Sequence, residues 1–210
     1  MRWEGGSLEI DINEHCVPLP FPVRGVATLI PDTFYNAPVQ LDAAGKHLWQ
    51  AVAPHGRIQV SLDRPKLSWS GNAYHDMNWG DEPLEKAFKH WTWLRTITER
   101  GTEVLYDITR LNGSRFSFGR EFRNGDILAR EVPGLKPLKH GLWGMSRDVS
   151  SETAPHLIAK LEDAPFYTRN HIAITLEGKR CEAYHESLSL DRFAHPVVQL
   201  MLPFRMPRFA

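Results

Sequence analysis

Two Asn-Gly dipeptides, Asn112-Gly113 and Asn124-Gly125, each stand between runs rich in β-branched and aromatic residues. Such a pair supplies the positive φ angles of a tight hairpin at little cost, because Gly has no Cβ and Asn tolerates the left-handed region. The runs 104–111, 116–122 and 127–132 are therefore predicted to fold back on one another as a three-stranded antiparallel meander. Its middle strand carries Phe116, Phe118 and Phe122 on one face. The same period of two recurs at Leu8/Ile10/Ile12, Ile58/Val60/Leu62 and Ile172/Ile174/Leu176, the pattern of half-buried strands. Fifteen Pro and fifteen Gly beside seven Trp and ten Phe favour many short strands over long helices. One short helix is predicted over 82–90, where Pro83 suits a first turn and acidic residues precede Lys86 and Lys89. Residues 133–140, with Pro133, Gly134 and Pro137, read as a linker. The expectation is an all-β, antiparallel protein, most simply a barrel or two packed barrels, with one β unit over 1–133 and a second over 134–210.

Lys+Arg and Asp+Glu cancel at 25 each, so bulk charge recruits neither nucleic acid nor an anionic membrane, and a neutral or greasy partner is expected. Cys16 and Cys181 lie far apart without paired spacing, which indicates neither a disulfide framework nor a thiolate metal site. The opening Met1-Arg2-Trp3-Glu4-Gly5-Gly6 lacks the apolar core of a secretory signal, so the chain is expected in the cytoplasm. No apolar run approaches the roughly 20 residues needed to span a bilayer; the nearest, 197–204, is broken by Gln199 and Pro203. No dinucleotide fingerprint, phosphate loop or Gly-x-Ser-x-Gly elbow occurs, which argues against nucleotide cofactors and serine hydrolysis. His185-Glu186 begins a zinc-protease signature that fails at Ser189, and no pair among ten histidines has ligand spacing within a clear element, so no metal is expected. Asn112-Gly113-Ser114 matches a glycosylation acceptor but is read as the hairpin turn.

The densest chemistry lies in Tyr74-His75-Asp76-Met77-Asn78-Trp79-Gly80, with Trp91-Thr92-Trp93 shortly after. A carboxylate, an imidazole and large aromatics so close together suit proton chemistry beside an apolar ligand. In an extended segment Tyr74, Asp76 and Asn78 share one face, and His75, Met77 and Trp79 share the other. A corner that satisfies backbone donors and buries a Trp is the alternative these residues leave open. In the next strand Tyr106 alternates with Val104 and Ile108, while Asp107 falls beside Leu105; a carboxylate on such a face needs a partner or takes up a proton. Trp91 and Trp93 share a face as core, or as the lining of a pocket.

Three separated blocks, 71–85, the run Val104-Leu105-Tyr106-Asp107 and the closing 185–193 through 203–208, resemble the acyclic carotenoid 1,2-hydratases, also called hydroxyneurosporene synthases. The resemblance runs from Trp3 onward. It implies lipocalin-like β-barrels and hydration of the terminal C1–C2 double bond of neurosporene, lycopene or a related acyclic carotenoid, in phototrophic bacteria and without a cofactor. It also implies further β structure ahead of the position of Met1, hence a shortened amino end, and a His in some members where Met77 stands.

Hydrating an isolated trisubstituted alkene requires a proton at C2, a tertiary cation at C1 and attack by water. A carboxyl whose ionised form is desolvated by apolar walls holds its proton near neutral pH and can deliver it. Asp76 and Asp107 are the candidate acids, in no fixed order. Trp79, Tyr74 and Tyr106 are candidates to stabilise the cation, worth about 0.5–2 kcal/mol each, and His75 to position or deprotonate the water. Phe116, Phe118, Trp91 and Trp93 are candidates to line the tunnel for the polyene. An insoluble substrate implies peripheral contact with the inner or photosynthetic membrane, with 197–204 and the flanking Arg205 and Arg208 as one contact and a last barrel strand as the competing reading of that tail. Two other functions stay open: a lipid- or carotenoid-binding protein without turnover, and a related isoprenoid or polyketide cyclase.

Overall fold

The computed structural model describes residues 1–204. The chain divides into two compact units, the first built mainly from Met1–Val39 and Leu48–Trp79, the second from Gln40–His47 and Gly80–Leu202. The first sheet contains β1 (Arg2–Glu4), β2 (Ser7–His15), β3 (Pro22–Pro31), β4 (Val39–Gln40), β5 (His47–Arg64) and β6 (Leu67–Gly80). Its order is β1-β2-β3-β5-β4, with β6 also paired to β5. The alternation seen in the sequence becomes cross-strand rows: Leu8, Leu29 and Ile58 lie abreast, as do Ile10, Ala27 and Val60. Leu8 and Leu29 pack with Ala53 and Ala73, and Ile10 and Ile58 flank them.

In the second unit a single 3-10 turn (Leu84–Lys86) leads into β7 (Phe88–Thr98), β8 (Gly101–Arg110), β9 (Arg115–Arg123) and β10 (Asp126–Arg130). The short pair β11 (Leu135–Lys136) and β12 (Val149–Ser150) precedes β13 (His156–Asp163), β14 (Tyr167–Leu176) and β15 (Lys179–Ser189). Two helices, α1 (Leu190–Phe193) and α2 (Pro196–Met201), follow. Seven of these strands form one antiparallel sheet in the order β10-β9-β8-β7-β15-β14-β13. Residues on either side of 133/134 thus share one ladder, because β15 pairs with β7. Leu94, Leu105, Ile172, Ile174, Leu176 and Ala183 from this sheet pack with Leu138 and Val149 as its core.

The antiparallel all-β reading holds, but neither sheet closes into a barrel among the described strands. In the second, β10 is only five residues long and two register shifts interrupt the β13 ladder, so both stay as edges. The meander forms as read, with Asn124 and Gly125 at φ 50° and 91°. The turn at Asn112-Gly113 is wider: Gly113 takes φ 83°, Asn112 Oδ1 accepts from the Ser114 amide at 2.9 Å, and the ladder resumes at Arg115. A third tight turn, Glu177-Gly178 at φ 48° and 72°, carries no Asn and escaped the sequence reading.

Two expectations are corrected. The helix over 82–90 shrinks to the 3-10 turn, since Phe88 is fully buried and its strand pairs with β8, tertiary pairing outweighing local helix signals. The tail expected as a last strand is instead helix α2, with Pro196 in its first turn and His195 Nδ1 capping the Val197 amide at 3.3 Å. Arg205 and Arg208 lie outside the described residues.

Candidate functional site

Strand β6 is extended throughout, so its alternation places Tyr74 and Asp76 on one face and His75 between them on the other. Asp76 is half-buried. Its Oδ2 accepts a hydrogen bond from Trp49 Nε1 at 2.8 Å and a second from the Tyr74 hydroxyl at 3.1 Å. Trp49 comes from β5, where His47, Trp49, Ala51 and Ala53 form a fully buried alternating run, and its indole has no exposed surface. Burial raises the Asp76 carboxyl above the ordinary aspartate value, outweighing the Trp49 and Tyr74 hydrogen bonds and the nearby His75, which favour the charged form. Among the described residues no cationic side chain donates to it.

Trp49 was missed in the sequence because it lies 27 residues from its partner. The signal was present: a Trp alternating with Ala is headed for a tight interior, and a buried indole N–H requires an acceptor. His75 instead faces Trp3, with ring centroids 6.1 Å apart, and Met77 and Trp79, of the same parity, are both exposed. His75 and Trp79 therefore do not join the Asp76–Trp49–Tyr74 constellation.

In the second unit the ladder sorts the other candidates onto opposite faces of one sheet. Trp91, Ile108 and Phe116 lie abreast, as do Trp93, Tyr106 and Phe118. Tyr106 stacks on Phe118 at 5.3 Å and 13° and meets Trp91 edge-on at 6.2 Å, while Phe116 packs on Phe118 at 5.6 Å. This is a continuous aromatic face, buried at Trp91, Trp93 and Tyr106 and half-buried at the two Phe residues.

Asp107 points the other way, into a polar row that crosses six strands: Asp163, Thr168, Ser187, Thr92, Asp107 and Ser117. It is 6% exposed, and its Oδ2 accepts from Arg115 Nη2 at 2.8 Å and from the Ser117 hydroxyl. Asp107 thus serves as the acceptor half of an ion pair. His90 occupies the same polar face; burial lowers its pKa despite the nearby carboxylates of Asp148, Asp107 and Asp191. His185, fully buried with Nε2 3.1 Å from the Asp148 carbonyl, is pushed down to about 4 chiefly by burial. Among the described residues no three of His, Cys, Asp and Glu converge as a metal ion would require.

A family model described as carotenoid hydratase CrtC matches residues 1–210. The chain is 43% identical to an acyclic carotenoid 1,2-hydratase of Thiocapsa roseopersicina over 99% of its own length and 52% of that protein's. A second acyclic carotenoid 1,2-hydratase, from Rubrivivax gelatinosus, is 38% identical over 100% of this chain and 53% of its own length. The chain thus spans about half the length of these relatives. Among solved structures, an AttH-like protein of Nitrosomonas europaea superposes with a TM-score of 0.50 at 12% identity, covering 79% of this chain and 62% of that one, a likeness of fold alone.

Proposed function

Because the chain belongs to the carotenoid hydratase family, we propose that it hydrates the C1–C2 double bond of an acyclic carotenoid such as neurosporene or lycopene, with Asp76 as the acid. The observation that carries this reading is a desolvated carboxyl whose side-chain hydrogen bonds come from an indole and a phenol rather than a cation. Burial keeps Asp76 protonated at a pH where a solvated Asp is charged. As its proton passes to C2, the bonds from Trp49 and Tyr74 to Oδ2 become charge-assisted and strengthen, so they stabilise the carboxylate as it forms. The tertiary cation at C1 takes up water, and the resulting oxonium returns its proton to Asp76, which closes the cycle without a cofactor.

Asp107 suits this role less well, because its Oδ2 is already engaged by the Arg115 guanidinium and the Ser117 hydroxyl. The aromatic face of Trp91, Trp93, Tyr106, Phe116 and Phe118 suits a polyene, since π-faces stabilise cations and supply apolar area. A second reading, polyene binding without turnover, draws on that face alone. An insoluble substrate also implies peripheral attachment to a membrane as part of this proposal. No helix among the described residues is long and apolar enough to cross one. The test is incubation of the purified chain with lycopene in detergent. A product heavier by one water, absent with Asp76→Asn, supports the enzyme. Binding of lycopene with no product from either protein favours the second reading.

A further inference from the structure

We propose that one end of the first unit's sheet, formed by the β2–β3 loop and the β5–β6 turn, docks the protein on an anionic lipid bilayer. This deepens the peripheral attachment proposed above and rests on that reading for its purpose, while its geometry stands alone.

The β2–β3 loop reads Cys16-Val17-Pro18-Leu19-Pro20-Phe21 and contains no charged residue. Its shape is held by backbone hydrogen bonds, Cys16 N to Phe21 O at 2.9 Å and Phe21 N to Leu19 O at 2.8 Å. Burial of its side chains plays no such part: Val17, Leu19 and Phe21 are 46%, 61% and 64% exposed. A chain that turns between two strands ordinarily presents polar residues to water, so three outward apolar side chains on a held loop mark a contact surface.

Beside it, β5 and β6 are joined by the turn Pro65-Lys66, and Leu67 and Trp69, which open β6, are about half exposed. The ladder places Asn13, Arg24 and Arg64 abreast at this end of the sheet. Arg24, Arg64 and Lys66 are exposed and belong to no ion pair among the described residues. Of the carboxylates here, Glu14 alternates to the opposite face from Arg24 and Asp63 lies at the bulge between β3 and β5, while His15 lies at the strand end.

An apolar tip, a Trp and a rim of cations form the combination that inserts side chains about 5–10 Å into the headgroup region while pairing with lipid phosphate. A second copy of the chain fits less well, because a symmetric contact through this patch would bring Arg24, Arg64 and Lys66 of both copies together. The charge is local, since the chain as a whole has a formal net charge of zero.

The test is co-flotation of the whole chain with vesicles of phosphatidylcholine and phosphatidylglycerol in equal parts, and with phosphatidylcholine alone. The expected result is binding to the mixed vesicles that falls at least about tenfold in Leu19→Asp/Phe21→Asp, and by a similar factor in Arg64→Glu/Lys66→Glu. High salt should weaken the wild type and leave the second variant unchanged. Since all four side chains are exposed, melting temperatures should stay near wild type. The proposal is overturned by wild-type protein that ignores both vesicles, by variants that bind as wild type does, by loss with Leu200→Asp in α2 instead, or by a self-association that Leu19→Asp/Phe21→Asp abolishes. Vesicle binding by a chain that hydrates nothing would leave this surface standing and remove the enzyme reading. Hydration of detergent-dispersed lycopene by a chain that ignores vesicles would do the reverse.

Discussion

Asp76 and Asp107 are both aspartates on long strands, both accept two side-chain hydrogen bonds on Oδ2, and they differ in what donates. Asp76 receives neutral donors, an indole and a phenol. Asp107 receives a guanidinium and a hydroxyl. The lesson is that burial alone does not make an acid. A desolvated carboxyl whose donors are neutral is driven toward its neutral form, whereas Asp107 is tied by Arg115 and Ser117 into the framework of its sheet. The proton donor is therefore sought where the carboxylate is least comfortable.

The comparison breaks or sharpens through four measurements. Asp76→Asn should lower the hydration rate by about 10²–10⁴-fold while lycopene binding is retained; a variant with near wild-type turnover removes Asp76 from the mechanism. Next in size is an effect of the second unit. The folded His185 value of about 4 lies below its ordinary 6.5, so the unfolded chain binds the extra proton between these values. Its contribution to stability is complete above pH 6.5 and is lost as pH falls toward 4, by about 3 kcal/mol. Denaturant unfolding at pH 7 and pH 4.5 reads this, and His185→Gln should flatten the acid loss.

Asp107→Asn should cost about 1–3 kcal/mol of stability by leaving Arg115 and Ser117 with a neutral partner. Its turnover per folded molecule should stay close to wild type, and a collapse of turnover in fully folded protein would instead place Asp107 in the chemistry. The smallest effect belongs to Trp49→Phe, which removes one donor to the Asp76 carboxylate. Activity requires protonated Asp76 and so falls as pH rises through its raised value. Losing the Trp49 bond raises that value further, so the alkaline limb of the rate profile should move to higher pH while the rate drops only several-fold. An alkaline limb that does not move would dissociate Trp49 from the acid.

Much of the fold was readable from one strand at a time. The meander, the strands around Leu8, Ile58 and Ile172 and the apolar parity of each follow from alternation and from Asn-Gly turns, which act over a few residues. The helix over 82–90 and the last strand did not survive, because Phe88 and Pro196 are governed by distant pairing and by capping that local propensity does not weigh. For the site, the sequence picked out Tyr74 and Asp76 and assigned them to one face. It also separated Asp107 from Tyr106, since successive side chains of a strand point oppositely.

What the sequence by itself determined is therefore parity and chemistry: which carboxylates exist, which aromatics travel together, and where the chain turns. What only the tertiary structure decided is the identity of the neighbours, Trp49 for Asp76 and Arg115 for Asp107, brought into hydrogen-bonding range by strand pairing and register. A carboxyl's protonation depends on charges and donors within a few ångströms, and those distances do not exist until the strands are laid side by side.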